Sequence, residues 1–270
     1  VALDIVAKRT IGFSGASLAN LMNEAAIVTA RREKTEIGYA EIDYSIDRLT
    51  VGMQKTTGMT FPDRQRLVAY HEAGHAIMGC LTPDYDLVTK VTIIPRTNGA
   101  GGFTLFTPSE ERLDSGLYSK RYLEGQLAVA LGGRVAEEIV YGVEEVTTGA
   151  SNDLQQVRSI ARRMVAQWGY SKTKMGATSW EDTQGNSPVN PAGVSQAKEK
   201  EIDDEVRVLV ATAYENAKAL LGANRALLDE LTEALIEKET VDFRELYKMV
   251  EKSHPELARA QMDKQMSMNS

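Results

Sequence analysis

Residues 70–76 read Tyr-His-Glu-Ala-Gly-His-Ala, with two histidines four positions apart and a glutamate directly after the first. An α-helix turns by about 400° over four residues, so His71 and His75 lie on one face, one turn apart. Two imidazoles in this arrangement can bind one zinc ion, and Glu72 can then take a proton from the bound water. The stretch therefore predicts a helix that carries a zinc site and a general base.

A catalytic zinc site takes three protein ligands, so the motif leaves one ligand to be found. Cys80 lies on another face of the same helix, and His254 lies near the C-terminus of the chain. The remaining candidates are three acids, Glu137, Glu138 and Asp153. Asp153 is expected in the first turn of a helix, where acids also occur for dipole and capping reasons. The residue pattern alone therefore leaves the third ligand open.

The composition is that of an acidic globular protein. The net charge of -7 excludes the overall basic surface that nucleic-acid binding requires. Cys80 is the only cysteine, which excludes a disulfide framework and a cysteine-based zinc site. No apolar run approaches the roughly 20 residues of a membrane helix, and no secretory signal opens the chain. Because the sequence starts at Val1 without methionine, we expect a fragment whose anchor would lie outside it.

The hydrophobic pattern divides the chain into two units. Residues 1–51 are expected to form a small helical unit, which includes a helix capped by Ser14. Residues 52–64 lack periodicity and are predicted to be a linker. Residues 65–252 form the second unit, and residues 253–270 are expected to be a frayed, flexible tail.

The second unit combines several helices with a few strands. The motif helix is predicted from Gln65 to Cys80, and β-branched residues predict a strand at Val88–Ile94. A second strand is predicted at Phe103–Phe106, after a glycine-rich turn. Further helices are expected from about 119 to 135, from 152 to 168, and two or three over 196–252. These elements predict a mainly α fold with a small β-sheet, of the α+β class.

Glycines 132 and 133 fall inside one of these predicted helices. Glycine lowers helix propensity, so a pair in mid-helix indicates that another backbone packs closely there.

Several blocks of the sequence resemble the FtsH family of ATP-dependent membrane metalloproteases. They are residues 70–76, Leu-Gly-Gly-Arg-Val-Ala-Glu-Glu at 131–138, Thr-Thr-Gly-Ala-Ser-Asn-Asp-Leu at 147–154 and Ile-Asp-Asp-Glu-Val-Arg at 202–207. The resemblance continues to about Val250 and implies a helical zinc-peptidase domain. It implies Asp153 as the third zinc ligand, and Glu138 as a residue that orients a ligand imidazole.

The same resemblance implies a mode of substrate binding. The family binds extended chains along an edge strand, which corresponds here to Gly101–Phe106. The residues expected to contact substrate are Gly101, Gly102, Phe103 and Thr104. Addition of a substrate strand suits a protease that reads backbone more than side chains.

Residues 1–51 resemble the helical end of the family's AAA ATPase module, through blocks at 12–18 and 23–26. Gly15 and Ala16 would lie near the nucleotide in the full-length protein. The sequence has no Gly-x-x-x-x-Gly-Lys-Ser/Thr loop, so ATP and Mg²⁺ are expected only in that longer protein. We expect no ATP hydrolysis by this chain alone.

The resemblance also implies partners and a location. Family members form six-subunit rings, homo- or hetero-oligomeric, that act on unfolded polypeptides and reach the membrane through a segment outside this sequence. Residues 108–118 are most similar to the thylakoid and cyanobacterial branch. This implies the stromal face of the chloroplast thylakoid, with the cytoplasmic face of a bacterial or cyanobacterial inner membrane as the alternative.

The leading hypothesis is the zinc endopeptidase portion of a membrane-anchored, ATP-dependent protease. One alternative is a catalytically silent scaffold subunit of a hexameric ring, and another is a zinc hydrolase acting on a non-peptide substrate. The intact motif and Asp153 count against the scaffold. The edge-strand segment counts against the non-peptide hydrolase, because small-molecule enzymes need a closed pocket.

Overall fold

The computed structural model describes residues 3–10, 12–50, 52–53, 61–97, 99–171, 176–180 and 195–269. The helices are α1 (Leu3–Arg9), α2 (Gly15–Arg31), α3 (Tyr39–Thr50), α4 (Pro62–Leu81), α5 (Glu110–Ser115), α6 (Lys120–Tyr141), α7 (Ser151–Ala166), α8 (Gln196–Ala223), α9 (Arg225–Lys238), α10 (Phe243–Ser253) and α11 (Pro255–Asn269). The strands are β1 (Leu87–Thr92), β2 (Phe103–Thr107) and β3 (Thr240–Asp242). The predicted mainly α fold with a small sheet is confirmed.

Helices α4 and α6 form the centre of the larger unit and pack unusually closely. A Cβ atom added to Gly132 would lie 2.8 Å from the carbonyl oxygen of Gly74 and 2.9 Å from Cγ of Met78. Real Cβ atoms do not approach other atoms so closely, so glycine allows the two helices to touch. The prediction of a close backbone approach is confirmed at Gly132.

One hydrophobic core holds the helices of the larger unit together. Fully buried members from five helices are Ile77, Leu127, Met164, Leu228 and Leu246. Burying a side chain of this size stabilises the fold by about 1.5–3 kcal/mol relative to exposure. The core therefore fixes α4, which carries the histidine motif, against α6, and α6 in turn packs against α7.

The sheet is antiparallel, with the strand order β2-β1-β3. Val91 of β1 lies opposite Thr104 of β2 on one side and Val241 of β3 on the other. Strand β3 was not predicted, because three residues are too few to show an alternating pattern. Strand β2 therefore forms one edge of the sheet.

The N-terminal unit has a separate small core of apolar residues, which are Val6, Leu21, Ala25, Ile42 and Ile46. Ser14 caps α2 as predicted, since its Oγ accepts a hydrogen bond from the N–H of Ser17 at 3.2 Å. The unit contacts the sheet through Lys90, whose Nζ lies 3.0 Å from Asp43 and 2.6 Å from Asp47. Charged groups thus join the two units.

The C-terminal segment differs from the sequence prediction. A flexible tail was expected from residue 253, yet α11 continues the fold after Pro255. Ala258 is fully buried in the main core, and Gln261 is only 4% exposed. Leu257 and Met262 pack against the same core, and the sequence prediction missed this narrow face because most of the segment is polar.

The boundary of the motif helix also differs slightly from the prediction. Helix α4 begins at Pro62, three residues before Gln65, with proline at a first-turn position where its missing N–H costs nothing. Most of the linker predicted at 52–64 lies outside the described residues. Within the described part of the chain, no helix combines the length and apolar character that crossing a bilayer requires.

Candidate metal centre

Three potential ligand atoms converge between α4 and α7. The Nε2 atoms of His71 and His75 lie 3.1 Å apart, and Oδ2 of Asp153 lies 3.3 Å and 3.5 Å from them. Ligands about 2.0–2.1 Å from a tetrahedral zinc ion lie about 3.3–3.4 Å from one another. The three separations therefore match the edges of a tetrahedral zinc site.

The hydrogen bonds of the two imidazoles direct their lone pairs into this space. Nδ1 of His75 donates to the carbonyl oxygen of Val129 at 2.8 Å, since a carbonyl can only accept. Nδ1 of His71 lies 2.8 Å from the carboxylate of Glu137. In the neutral form that an imidazole takes as a metal ligand, both Nε2 atoms would be unprotonated and face each other. Two lone pairs and a carboxylate at such distances suit a metal cation between them, and a proton on one imidazole is the alternative without metal.

Asp153 reaches the histidines because a short turn directs α7 towards them. Residues Thr148–Ala150 form a 3-10 turn, and the N–H of Gly149 donates to Oγ1 of Thr147 at 3.2 Å. Helix α7 follows directly, with Asp153 in its first turn. This local structure places the carboxylate beside the imidazoles of α4.

The charges of these groups are strongly coupled. Burial alone would lower the pKa of His71, but hydrogen bonds to Asp153 and Glu137 outweigh it and raise the pKa to about 10. Burial would likewise raise the pKa of the Asp153 carboxyl, yet its contacts with both imidazoles lower that pKa well below its usual range. The site therefore favours a bound positive charge.

Glu72 lies next to the three ligand atoms but makes different contacts. Its side chain is buried, which raises the pKa of its carboxyl, while the neighbouring imidazoles and Thr104 oppose that rise. Oγ1 of Thr104 donates to Oε2 of Glu72 at 2.9 Å. Glu72 is thus a buried carboxylate that lies beside the candidate metal site and borders the edge strand β2.

A cleft of about 960 Å³ opens over these groups. Its lining includes His71, Glu72, His75 and Asp153. One wall contains the four residues predicted to contact substrate, which are Gly101, Gly102, Phe103 and Thr104. The edge strand and the candidate metal site therefore share a single cleft.

Other candidates from the sequence lie elsewhere. His254 lies beside Asn224, with Nε2 2.6 Å from the side-chain oxygen, and Cys80 is buried in the core. Gly15 and Ala16 are exposed at the start of α2. Among the described residues, only His71, His75 and Asp153 form a group of three or more potential ligands within 4.8 Å of one another.

Comparison with known families agrees with this arrangement. Residues 59–249 match the model of peptidase family M41, and residues 1–43 match that of the AAA+ lid domain. The chain belongs to peptidase family M41.

Relatives of this M41 chain include the ATP-dependent zinc metalloprotease FtsH 3 of Synechocystis, 51% identical over 96% of the chain and 42% of that protein. The chloroplastic FTSH 5 of Arabidopsis thaliana is 52% identical over 89% of the chain and 34% of its own length. FtsH of Synechococcus is 48% identical over 94% of the chain and 40% of that protein. The predicted resemblance to FtsH is confirmed, and the chain spans less than half the length of these relatives.

The structure corrects one residue assignment in the M41 site. Glu138 was expected to orient a ligand imidazole, but its carboxylate contacts Tyr214 and Lys218, with Nζ of Lys218 at 2.8 Å. Glu137 contacts His71 instead and also accepts hydrogen bonds from the N–H and Oγ1 of Thr147, both at 2.9 Å. Adjacent residues on a helix point about 100° apart, so only one of the two glutamates faces α4.

Gly133 is an element of the M41 site that the sequence analysis assigned only to backbone packing. A Cβ atom at this position would lie 2.6 Å from Nε2 of both His71 and His75. The two glycines do mark a site of close packing, but each lies against a different part of α4. Gly132 lies against the backbone of α4, whereas Gly133 leaves room for the two imidazoles.

Proposed function

We propose that this chain is the zinc-dependent endopeptidase portion of a membrane-anchored, ATP-dependent protease that degrades unfolded or damaged membrane proteins. The observation that carries the proposal is the convergence of two imidazole lone pairs and the Asp153 carboxylate at tetrahedral spacing. Membership in peptidase family M41 and the FtsH relatives support the same reaction class.

In this proposal His71, His75 and Asp153 hold zinc, and Glu137 fixes the orientation of His71. Bound zinc would supply a water with a pKa lowered towards about 7 and would polarise the scissile carbonyl. Glu72 would accept the proton of that water and later deliver it to the leaving amine nitrogen. Its position in the same cleft, next to the ligand histidines in sequence, supports this role.

Substrate would bind as an extended chain along the edge strand. Strand β2 borders the cleft and pairs through one side with β1, so an incoming strand could add to its other side. Such binding uses main-chain hydrogen bonds and accepts many sequences, which suits the removal of unfolded proteins. Gly101, Gly102, Phe103 and Thr104 form the part of this wall nearest the proposed catalytic groups.

The assembly and the location are part of the proposal. The match to an AAA+ lid domain, together with relatives named ATP-dependent, supports an ATPase module that uses ATP and Mg²⁺ in a longer protein. Gly15 and Ala16 would lie near that nucleotide. We propose a homo- or hetero-hexamer, anchored by a membrane segment outside this sequence. The cyanobacterial and chloroplastic relatives support the stromal face of a thylakoid membrane, or the cytoplasmic face of an inner membrane.

The test is cleavage of casein, an unfolded substrate that does not require an unfoldase. We expect the zinc-loaded chain to cut casein, to lose activity after treatment with a chelator, and to regain it when zinc is returned. Glu72→Gln should keep zinc and lose cleavage. Cleavage that survives chelation, or a fully zinc-loaded wild type that leaves casein intact, would contradict the proposal. A zinc-loaded wild type that leaves casein intact would favour the scaffold alternative. The presence of all four site residues, His71, Glu72, His75 and Asp153, counts against that alternative.

A further inference from the structure

Strand β2 makes direct contact with the proposed general base. The hydroxyl of Thr104 lies 2.9 Å from Oε2 of Glu72 and 3.2 Å from the main-chain carbonyl oxygen of the same residue. Both atoms are acceptors, so the hydroxyl proton is shared between them and the hydroxyl acts as the donor. Thr104 thus connects an edge strand to the helix that carries the metal motif.

Gly102 borders the other side of the same carboxylate. A Cβ atom at Gly102 would lie 2.9 Å from Cγ of Glu72 and 3.1 Å from Oε1. One carboxylate oxygen therefore lies against the bare backbone of Gly102, and the other receives the hydrogen bond from Thr104. Gly102 directly precedes β2, so β2 and the residue before it border the carboxylate at both oxygens.

This contact differs from the binding role that the sequence resemblance implies for Thr104. Its hydroxyl proton is directed to Glu72 on helix α4, and its backbone lies opposite Val91 of β1. Substrate would add along the outer edge of β2 through main-chain groups, which the side chain of Thr104 does not supply. Loss of the hydroxyl should therefore affect the base more than the capture of substrate.

We propose that Thr104 is a positioning residue for the peptidase reaction, whose hydroxyl holds the Glu72 carboxylate in the orientation needed to accept a proton. The strand that receives the substrate would thereby also align the base. A carboxylate that can rotate away spends less time in the reactive geometry, which lowers turnover without changing substrate affinity. The inference rests on the proposed endopeptidase function.

The test compares Thr104→Val, which removes the hydroxyl at nearly constant shape, with Thr104→Ser, which keeps it. Thr240→Val is the matched control, because Thr240 lies on β3 at the opposite edge of the sheet and its hydroxyl contacts that of Thr92 at 2.8 Å. For casein cleavage we expect Thr104→Val to lose about tenfold or more in kcat with KM changed by less than about twofold. Thr104→Ser should restore most of the loss, and Thr240→Val should match the wild type.

A second readout does not depend on turnover. A peptide hydroxamate can chelate the metal while its hydroxyl donates to a carboxylate beside it, so its affinity reports the orientation of Glu72. We expect calorimetry to show binding weakened about fivefold or more in Thr104→Val, with zinc content per chain unchanged. Equal hydroxamate affinity, a change confined to KM, or no rescue by serine would overturn the proposal. Failure of the endopeptidase proposal can be distinguished from failure of the Thr104 proposal, because in the former case the zinc-loaded wild type would leave casein intact.

Discussion

Oε1 of Glu137 lies 2.8 Å from Nδ1 of His71, while the opposite ring nitrogen of the same imidazole faces Asp153. One carboxylate thus fixes the tautomer that presents a lone pair to the metal site, and the other offers a ligand oxygen. Glu137 is itself held by Thr147, just before the turn that leads to Asp153. The ligand set therefore depends on a chain of contacts from α6 through this turn to α7.

This relationship predicts unequal effects for two adjacent glutamates. Glu137→Gln removes the charge that orients His71, and we expect zinc affinity to fall by about 10–100-fold. Glu138→Gln is the matched control, because Glu138 contacts Lys218 and Tyr214 instead. Competition with a zinc chelator of known affinity measures both variants. Equal losses in the two would show that Glu137 has no special role at the imidazole.

The glycine pair of α6 predicts a second contrast. Gly133→Ala places a methyl group 2.6 Å from both ligand nitrogens, so we expect most zinc binding to be lost while the fold is retained. Gly132→Ala should instead destabilise the fold, by about 1–3 kcal/mol, because its methyl group meets the backbone of Gly74. Zinc titration and urea unfolding distinguish the two effects. A Gly133→Ala variant that binds zinc as tightly as the wild type would contradict this geometry.

The third ligand is tested by Asp153→Asn. An amide is a much poorer zinc ligand than a carboxylate, so we expect zinc affinity to fall by at least about tenfold and casein cleavage to fall with it. Asp63→Asn is the control, since Asp63 also lines the cleft but lies outside the ligand group. Metal content and activity that match the wild type would exclude Asp153 as a ligand.

The N-terminal unit should show its own dependence on pH. Hydrogen bonds from Lys34 and Arg32 lower the pKa of the buried Glu41 carboxyl from 4.5 to about 2. Because the folded pKa lies below the unfolded one, this interaction stabilises the unit fully above about pH 4.5. The contribution is then lost as the pH falls towards about 2.

Amide hydrogen exchange in α2 and α3 measures this effect as a free energy of opening. We expect Glu41→Gln to lower that free energy at pH 7, with a difference from the wild type that shrinks below about pH 4.5. Glu36→Gln, at an exposed position of the preceding loop, should change little at any pH. A difference for Glu41→Gln that stays constant down to pH 3 would contradict the assignment.

The sequence predicted those helices and strands whose hydrophobic pattern is long and regular. The period of apolar residues predicted α7, and β-branched runs predicted β1 and β2, to within about two residues. It also predicted the start of α6, but this helix continues to Tyr141, beyond the predicted end at 135. The three-residue strand β3 was missed, because its partner is brought close only by tertiary structure. Helix α11 was missed because the few apolar residues that contact the core, Leu257, Ala258 and Met262, lie in a mostly polar segment.

The candidate site was also predictable from the sequence only in part. The spacing of His71 and His75 follows from helix geometry alone, whereas the choice of Asp153 came from a family resemblance. No pattern could distinguish Glu137 from Glu138, since that choice depends on which side of α6 faces α4. The contact of Thr104 with Glu72 was also beyond the sequence, because it joins residues on a strand and a helix across the cleft.

The most direct test of the metal centre is X-ray absorption at the zinc edge of the purified, zinc-loaded chain. We expect one zinc per chain with a first shell of nitrogen and oxygen atoms at about 2.0–2.2 Å, two of them from imidazoles. A shell at about 2.3 Å would instead indicate sulfur, which only Cys80 or a methionine could supply. A sulfur shell, or a spectrum without imidazole ligands, would contradict the assignment of His71, His75 and Asp153.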